Sequence, residues 1–254
     1  MGTHDRHISF DGVFNFRDVG GYAADGNRSV AWRRVFRSGA LEQMTGCDVA
    51  LATEELGLST VLDLRHPEEL ASVEHQLGPL FEADVQRHHL SLHPADMQLG
   101  EYRKSMDKEL GQGLSGRRYF AWLRFAGLQL ATAFELLAEK STYPVVIHCT
   151  AGKDRTGITI GLLLNLIGVA DEQVVADYEL SNLSTGPLIE YLESVGRLPD
   201  LPADELQKRV ATPAERMEEF LALLREQYGG ARGYLREQGL SDQTLDRVAD
   251  HLFE

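Results

Sequence analysis

The stretch from Val145 to Val169 constrains this chain more than any other part of it. Val145-Val146-Ile147-His148 is a short apolar run with Pro144 just ahead of it, a place where a strand tolerates proline. Cys149-Thr150-Ala151-Gly152 then reads as a turn of small residues, and almost everything from about Arg155 to Ile167 is apolar. A helix that is apolar all round belongs in the interior of a protein. A strand, a tight turn and a fully buried helix in succession call for an α/β core built around them.

Upstream, Thr45-Gly46-Cys47-Asp48 has the spacing of a capping box and opens a helix to about Leu56, which Gly57 stops. Ser59 to Leu64 reads as a buried strand and Arg87 to Leu92 as another. Between Gly116 and Lys140, Tyr119, Leu123, Ala126, Leu130, Phe134 and Leu137 recur at helical spacing. Downstream, Asp171 caps a helix that runs to about Ser181. Thr212-Pro213-Ala214-Glu215 supplies an N-cap, a proline at the first helical position and a capping-box glutamate for the next. A last helix runs from Ser241. With no internal repeat and no long linker, the reading is a single domain over residues 1–254. It is an α/β fold with a central, mostly parallel sheet flanked by helices, and a helical cover drawn from the second half of the chain.

Net charge over the 254 residues is −14, with a pI near 5.1. Such a surface repels nucleic acid and anionic membrane at long range, so neither nucleic-acid binding nor membrane insertion is expected. Any anion must be bound by positive charge gathered locally. Ile158 to Val169 is too short to cross a hydrocarbon core of about 30 Å, and the N-terminus lacks the basic-then-apolar layout of a signal peptide. The expectation is a cytoplasmic protein, with export by a signal-less route left open. Cys47 and Cys149 are the cysteines of the sequence, and free thiols in a reducing compartment suit them better than a disulfide framework.

Cys149 and Arg155 stand at the two ends of the turn. Hydrolysis of a phosphate monoester needs a nucleophile, donors for the non-bridging oxygens, a positive partner and a proton for the leaving group. Cys149 supplies the nucleophile. Thr150, Ala151 and Gly152 can turn successive backbone N–H groups inward as an anion nest, and the helix behind adds its N-terminal donors and dipole. Arg155 can clamp phosphate oxygens with its planar fork, and the same field favours a thiolate on Cys149. Thr156 can hydrogen-bond the sulfur and help it leave, and Lys153 adds charge for substrate. His148 is expected to orient the turn, its side chain pointing away from Cys149. A nucleotide-binding P-loop is excluded, because Asp154 stands where Ser or Thr must follow Lys153.

As proton donor, Asp154 within the turn is preferred to Asp96, which follows the Arg87–Leu92 strand. The plainer roles are a buried structural cysteine at 149 and a surface carboxylate at 154 that pairs with Lys153. Asp63 with Arg65 reads as a structural ion pair, Arg17 and Asp18 as a tie beside the turn, and Asp177 and Asn182 as braces. Cys47 lacks both a following arginine and a nest. His89 and His93 share a strand face by alternation and with Asp96 could ligate a metal, but the spacing matches no recognised zinc site. No metal is expected. One rival reading is a phosphate-binding module without turnover, which has no need of Cys149 and Asp154. Another is a different thiol enzyme. A Cys–His hydrolase is disfavoured because His148 cannot easily reach its neighbour along an extended strand, and Arg155-Thr156-Gly157 favours phosphate over sulfur transfer.

The run from His148 to Gly157 resembles the signature of the protein tyrosine phosphatase superfamily. More narrowly, the chain resembles the bacterial tyrosine-protein phosphatases, a group with mycobacterial members. Phe14-Asn15-Phe16-Arg17-Asp18-Val19-Gly20-Gly21-Tyr22, Arg37-Ser38 with Leu41, and Asp63-Leu64-Arg65 with Glu69 carry the likeness ahead of the turn. Ala176-Asp177-Tyr178 with Ser181-Asn182, and Gly233-Tyr234-Leu235-Arg236, carry it beyond. It is weakest over residues 78–113 and 183–211. The resemblance implies a metal-free phosphatase without cofactors, a phosphocysteine intermediate on Cys149 and an aspartate at position 154. It implies substrates bearing phosphotyrosine, with phosphoserine, phosphothreonine or phosphoinositides in some members. Lys153 beside the arginine is similar to phosphoinositide phosphatases and points to a substrate with more than one phosphate. Residues 183–211, with Pro187, Pro199 and Pro202, read as a helical lid that shields the thiolate and gates substrate, the plainer alternative being a solvated helical appendage.

Overall fold

A computed structural model describes residues 6–71, 78–94 and 97–253. Its elements run β1 (Arg17–Asp18), β2 (Ala23–Ala24), β3 (Arg28–Ser29), β4 (Val35–Ser38), α1 (Gly46–Ala50), β5 (Thr60–Asp63), α2 (Pro67–Ala71), β6 (Gln86–His89), α3 (Leu99–Leu110), α4 (Gly116–Leu137) and β7 (Val145–His148). Helices follow: α5 (Asp154–Leu166), α6 (Asp171–Glu179), α7 (Thr185–Ser194), α8 (Ala203–Val210), α9 (Ala214–Tyr228), α10 (Ala231–Glu237) and α11 (Asp242–Leu252).

The apolar run at 145–148 is the central strand of a five-stranded sheet ordered β1-β4-β7-β5-β6. β4, β7, β5 and β6 are parallel, β1 is antiparallel on the edge, and β2 and β3 form a separate hairpin. Alternation along β7 sorts its side chains between two cores. Val145 and Ile147 join the larger one, with Leu62, Phe134, Leu163 and Phe220. Val146 joins the smaller, with Phe16, Phe36, Val61 and Ala52. On the larger side α5 fills the space against the sheet, with Ile158, Ile160, Leu162, Leu163 and Leu164 all buried. Burying each such aliphatic chain contributes about 1.5–3 kcal/mol, which outweighs any propensity term in this helix. Truncating Leu162 to alanine is expected to cost about 2–5 kcal/mol.

Register decides where the chemistry goes. Ser38 and Asp63 both lie level with His148, and His89 lies level with Asp63. The parallel strands therefore finish at one edge, and the chain leaves β7 there, at the carboxyl ends where α/β sheets bind ligands.

Several boundaries differ from the sequence reading. β6 ends at His89, so His93 lies beyond the strand. β1 and β4 give no sequence signal, because Arg17 and Arg37, both buried, break the apolar pattern. Asp171 does not cap α6: Ala170 holds the N-cap position without a side-chain bond, and Asp171 pairs with Arg225 instead. Nor does Thr212 cap α9. Its N–H donates to Asn182 Oδ1 at 2.8 Å and its C=O accepts from Asn182 Nδ2 at 3.1 Å, which holds it one residue before the N-cap position, taken by Pro213. The Thr45–Asp48 capping box forms as read, and the last helix starts where expected, with Ser241 at its N-cap accepting from Thr244 N. Among the described residues no helix is long and apolar enough to cross a membrane.

Candidate active site

The turn from Cys149 to Asp154 is shaped by what its carbonyls bind. Thr150 O accepts from Ala40 N at 3.0 Å, and Asn15 Nδ2 donates to both Ala151 O and Gly152 O at 3.0 Å. Arg37 Nη2 adds a bond to Gly152 O at 2.8 Å. In a planar trans peptide the N–H points opposite to its C=O. Tying these carbonyls to the framework therefore aims the N–H groups of Ala151, Gly152 and Lys153 the other way, as an anion nest requires. Gly152 has φ +67°, and a Cβ there would stand 2.3 Å from Ser38 O, so only glycine fits. Cys149 begins the turn with 1% of its surface exposed, and α5 begins at its far end.

Behind the turn lies a buried ionic brace. The β1–β4 register sets Arg17 directly opposite Arg37, a like-charge pairing that is unfavourable alone. Asp177 of α6 resolves it, accepting from Arg17 Nε at 3.1 Å and from Arg37 Nη1. Burial raises the Asp177 carboxyl, but the two guanidiniums overcome this and hold it below the usual range. Burial, with the charge of Arg37, lowers Arg17 to about 10. The sequence reading of Arg17 and Asp177 as supports agrees with this geometry.

Arg155 projects from the first turn of α5 onto Glu69 of α2. Its Nη2 donates to Oε1 at 2.8 Å and its Nη1 to Oε2. Oε1 also accepts from Thr150 Oγ1 at 2.7 Å, so one carboxylate ties both limbs of the turn. Burial opposes ionisation of Glu69, but the Arg155 charge and hydrogen bonds hold it well below the usual carboxylate range.

Asp154 accepts from Tyr119 Oη, which lies 2.8 Å from Tyr178 Oη; Arg216 Nη1 donates to Tyr178 Oη at 3.2 Å. The expected pairing with Lys153 is loose, at 3.9 Å. The Lys153 ammonium instead donates to the carbonyls of Arg209 and Val210, both at 3.0 Å, at the end of α8. Burial lowers its pKa. Thr156 is fully buried, and its Oγ1 has no partner among the described residues. His148 faces Asp63 on the next strand, Nε2 to Oδ2 3.5 Å. Asp63 also receives Arg65 at 3.0 and 2.9 Å, the structural pair the sequence suggested.

The candidate residues 149–156 thus come together at one strand end, while Asp96 lies outside the described residues. His89 Nε2 meets Arg65 O at 2.8 Å, and His93 packs edge-on to Tyr102 and Trp122. No group of three or more His, Cys, Asp or Glu side chains gathers as a metal site among the described residues. Sequence reasoning assigned no role to Asn15, Arg37, Glu69, Tyr119 or Arg216. Asn15, Arg37 and Glu69 stood inside the recognised blocks, but nothing local says that they reach the turn.

The pattern defining the tyrosine phosphatase family matches residues 8–254. A tyrosine-protein phosphatase of Nostoc commune is 34% identical over 227 residues, covering 84% of this chain and 71% of that protein. The triple specificity protein phosphatase PtpB of Mycobacterium tuberculosis is 30% identical over 273 residues, covering 93% of this chain and 95% of PtpB. The core catalytic domain of the PP-IP phosphatase SIW14 from S. cerevisiae is a structural neighbour at 15% identity with a TM-score of 0.39, covering 80% of this chain and 91% of that one. So low a score adds no weight to an assignment that the sequence matches already make. On the match across residues 8–254 and the two relatives that cover most of the chain, the protein belongs to the tyrosine phosphatase family.

Proposed function

We propose that the protein hydrolyses phosphate monoesters, phosphotyrosine first and phosphoserine or phosphothreonine besides, through a phosphocysteine on Cys149. The observation that carries this reading is the turn between Cys149 and Arg155, where the carbonyls of Thr150, Ala151 and Gly152 are drawn backwards, leaving N–H groups and a guanidinium for the phosphoryl oxygens. Because Glu69 takes the two terminal nitrogens of Arg155, the Nε edge of the fork is the edge that meets phosphate.

The chemistry runs in two displacements. Cys149 Sγ attacks phosphorus, a P–S bond forms, the P–O bond to the leaving group breaks, and Asp154 protonates the departing oxygen. Asp154 then takes a proton from water, whose oxygen attacks phosphorus. The sulfur leaves as a thiolate, and the Thr156 hydroxyl stabilises it. Residues 1–254 act as one phosphatase domain in this reading. Within it α7 and α8 form the lid, held by Lys153 to the end of α8 and by Arg197 Nη2, 3.6 Å from Glu69 Oε1.

A second substrate reading, phosphoinositide, has its own support. Arg155, Arg197 and Arg209 all lie close enough to Arg103 to repel its charge, in a chain of net charge −14. Such local crowding suits a substrate with a further anionic group. Hydrolysis of an aryl phosphate by wild type and Cys149→Ser, without added metal between about pH 5 and 8, tests the proposal. Activity that vanishes in the variant supports it. A folded wild type that binds phosphate without turnover reduces the protein to a recognition module.

A further inference from the structure

Asp154 stands at the end of a directed chain of hydrogen bonds. An arginine has no acceptor, so Arg216 Nη1 must donate to Tyr178 Oη, 3.2 Å away. An ionised carboxylate only accepts, so Tyr119 must donate to Asp154 Oδ1. With both ends fixed, the 2.8 Å contact between the phenols runs from Tyr178 to Tyr119. The nearest charge to Oδ2 is Lys153 Nζ at 3.9 Å, and among the described residues Oδ2 has no hydrogen-bond partner.

This chain is built into the core. Tyr119 of α4 and Tyr178 of α6 are essentially unexposed, and Trp122 stacks on Tyr119 with ring centroids 5.7 Å apart. Tyr178 lies where a Cβ on residue 157 would meet its ring at 3.0 Å, which gives Gly157 a reason to be glycine. Burial pushes the Tyr178 phenol up to about 12 and raises Tyr119 as well, so both keep their protons as donors. The charged or titratable groups facing Asp154 are Tyr119 from α4, Tyr178 from α6, Arg216 from α9, and Lys153 and Arg155 from its own turn.

We infer that Tyr119, backed by Tyr178 and Arg216, is a positioning residue for proton transfer: it holds Oδ1 of Asp154, so that Oδ2 gives the proton to the leaving group and takes it from water. The inference rests on the assignment of Asp154 as the proton donor proposed above. It implies that the tyrosines matter most where the leaving group needs a proton.

The test compares wild type with Tyr119→Phe on p-nitrophenyl phosphate, whose leaving group departs readily as an anion, and on an alkyl phosphate, whose leaving group does not. Losing one hydrogen bond to a charged group is expected to lower kcat on the alkyl phosphate about tenfold, with a much smaller fall on the nitrophenyl ester and KM unchanged. A hydrogen bond to a carboxylate favours its ionised form, so removing it should move the alkaline limb of the alkyl-phosphate kcat profile to higher pH. In the Asp154→Asn background Tyr119→Phe should have no further effect. Equal falls on both esters with an unmoved limb, or additive effects with Asp154→Asn, overturn the inference. If Tyr119→Phe does not fold, Tyr178→Phe removes the backing alone and should shift the same limb by less; no shift overturns it. Asp154→Asn that leaves both esters unaffected sinks the proton-donor assignment, and this inference with it. Asp154→Asn that slows the alkyl ester while both tyrosine variants are silent sinks this inference alone.

Discussion

Glu69 and Arg155 meet end on, the carboxylate of one accepting from both terminal nitrogens of the other inside the protein. The same carboxylate holds Thr150, and His66 N donates to it at 2.9 Å, so α2 and both limbs of the turn share one anchor. A buried charge is tolerable only when it is paired and hydrogen-bonded, and in the proposed reaction the same pairing sets the plane of the guanidinium before phosphate arrives.

Replacing Glu69 by glutamine keeps the shape and strands the Arg155 charge, which should destabilise the protein by about 3 kcal/mol at neutral pH. Since the folded-state pKa of Glu69 lies below its ordinary 4.5, the stabilisation is complete above that value and disappears as pH falls through the folded one. Urea unfolding of wild type and Glu69→Gln should therefore give a gap at pH 7 that narrows below about pH 4. A gap independent of pH would refute the ionised pair.

At Gly152 any side chain meets both a positive φ of +67° and Ser38 O at 2.3 Å. Gly152→Ala should cost about 1–3 kcal/mol and most of the activity, because the carbonyls of 151 and 152 must shift and the nest with them. Gly186→Ala makes the contrast: a Cβ there meets nothing within 4 Å, and the helix should gain about 0.5–1 kcal/mol. Comparable losses in both variants would show that the turn's geometry is not what matters.

How much of this was legible beforehand depends on the range of the interaction. The central strand, turn and buried helix are short-range patterns, and they set the fold class and the positions of Cys149, Asp154 and Arg155. Arg37 and Glu69 reach the turn across separations of 115 and 86 residues, which no spacing rule encodes. The charged β4 strand was illegible for the same reason: its buried arginine makes sense only once Asp177 is beside it. Lys153 was legible as charge near the site, but its capture by the end of α8 is a contact across 56 and 57 residues, which no spacing rule encodes.

Asp177 is the sole carboxylate between Arg17 and Arg37 among the described contacts. Asp177→Ala leaves two buried guanidiniums facing each other, and should cost about 3–5 kcal/mol. Thermal unfolding would register this as a large fall in Tm. A Tm near wild type would mean that the brace carries no net stability.

Lys153 links the turn to α8 through the two carbonyls of Arg209 and Val210. If α7 and α8 form a lid, Lys153→Met should expose Cys149 and speed both its alkylation by iodoacetamide and its oxidation by peroxide several-fold. Deleting residues 183–211 should do the same. Unchanged rates in both variants would remove the lid from the account.

The most direct test of the whole is to mix the enzyme with excess aryl phosphate, quench in acid within the first turnover, and map the phosphoryl group by mass spectrometry. The account predicts phosphate on the peptide containing Cys149, absent from Cys149→Ser and longer-lived in Asp154→Asn. Turnover at full rate by Cys149→Ser, or a phosphoryl group on any other side chain, would contradict it.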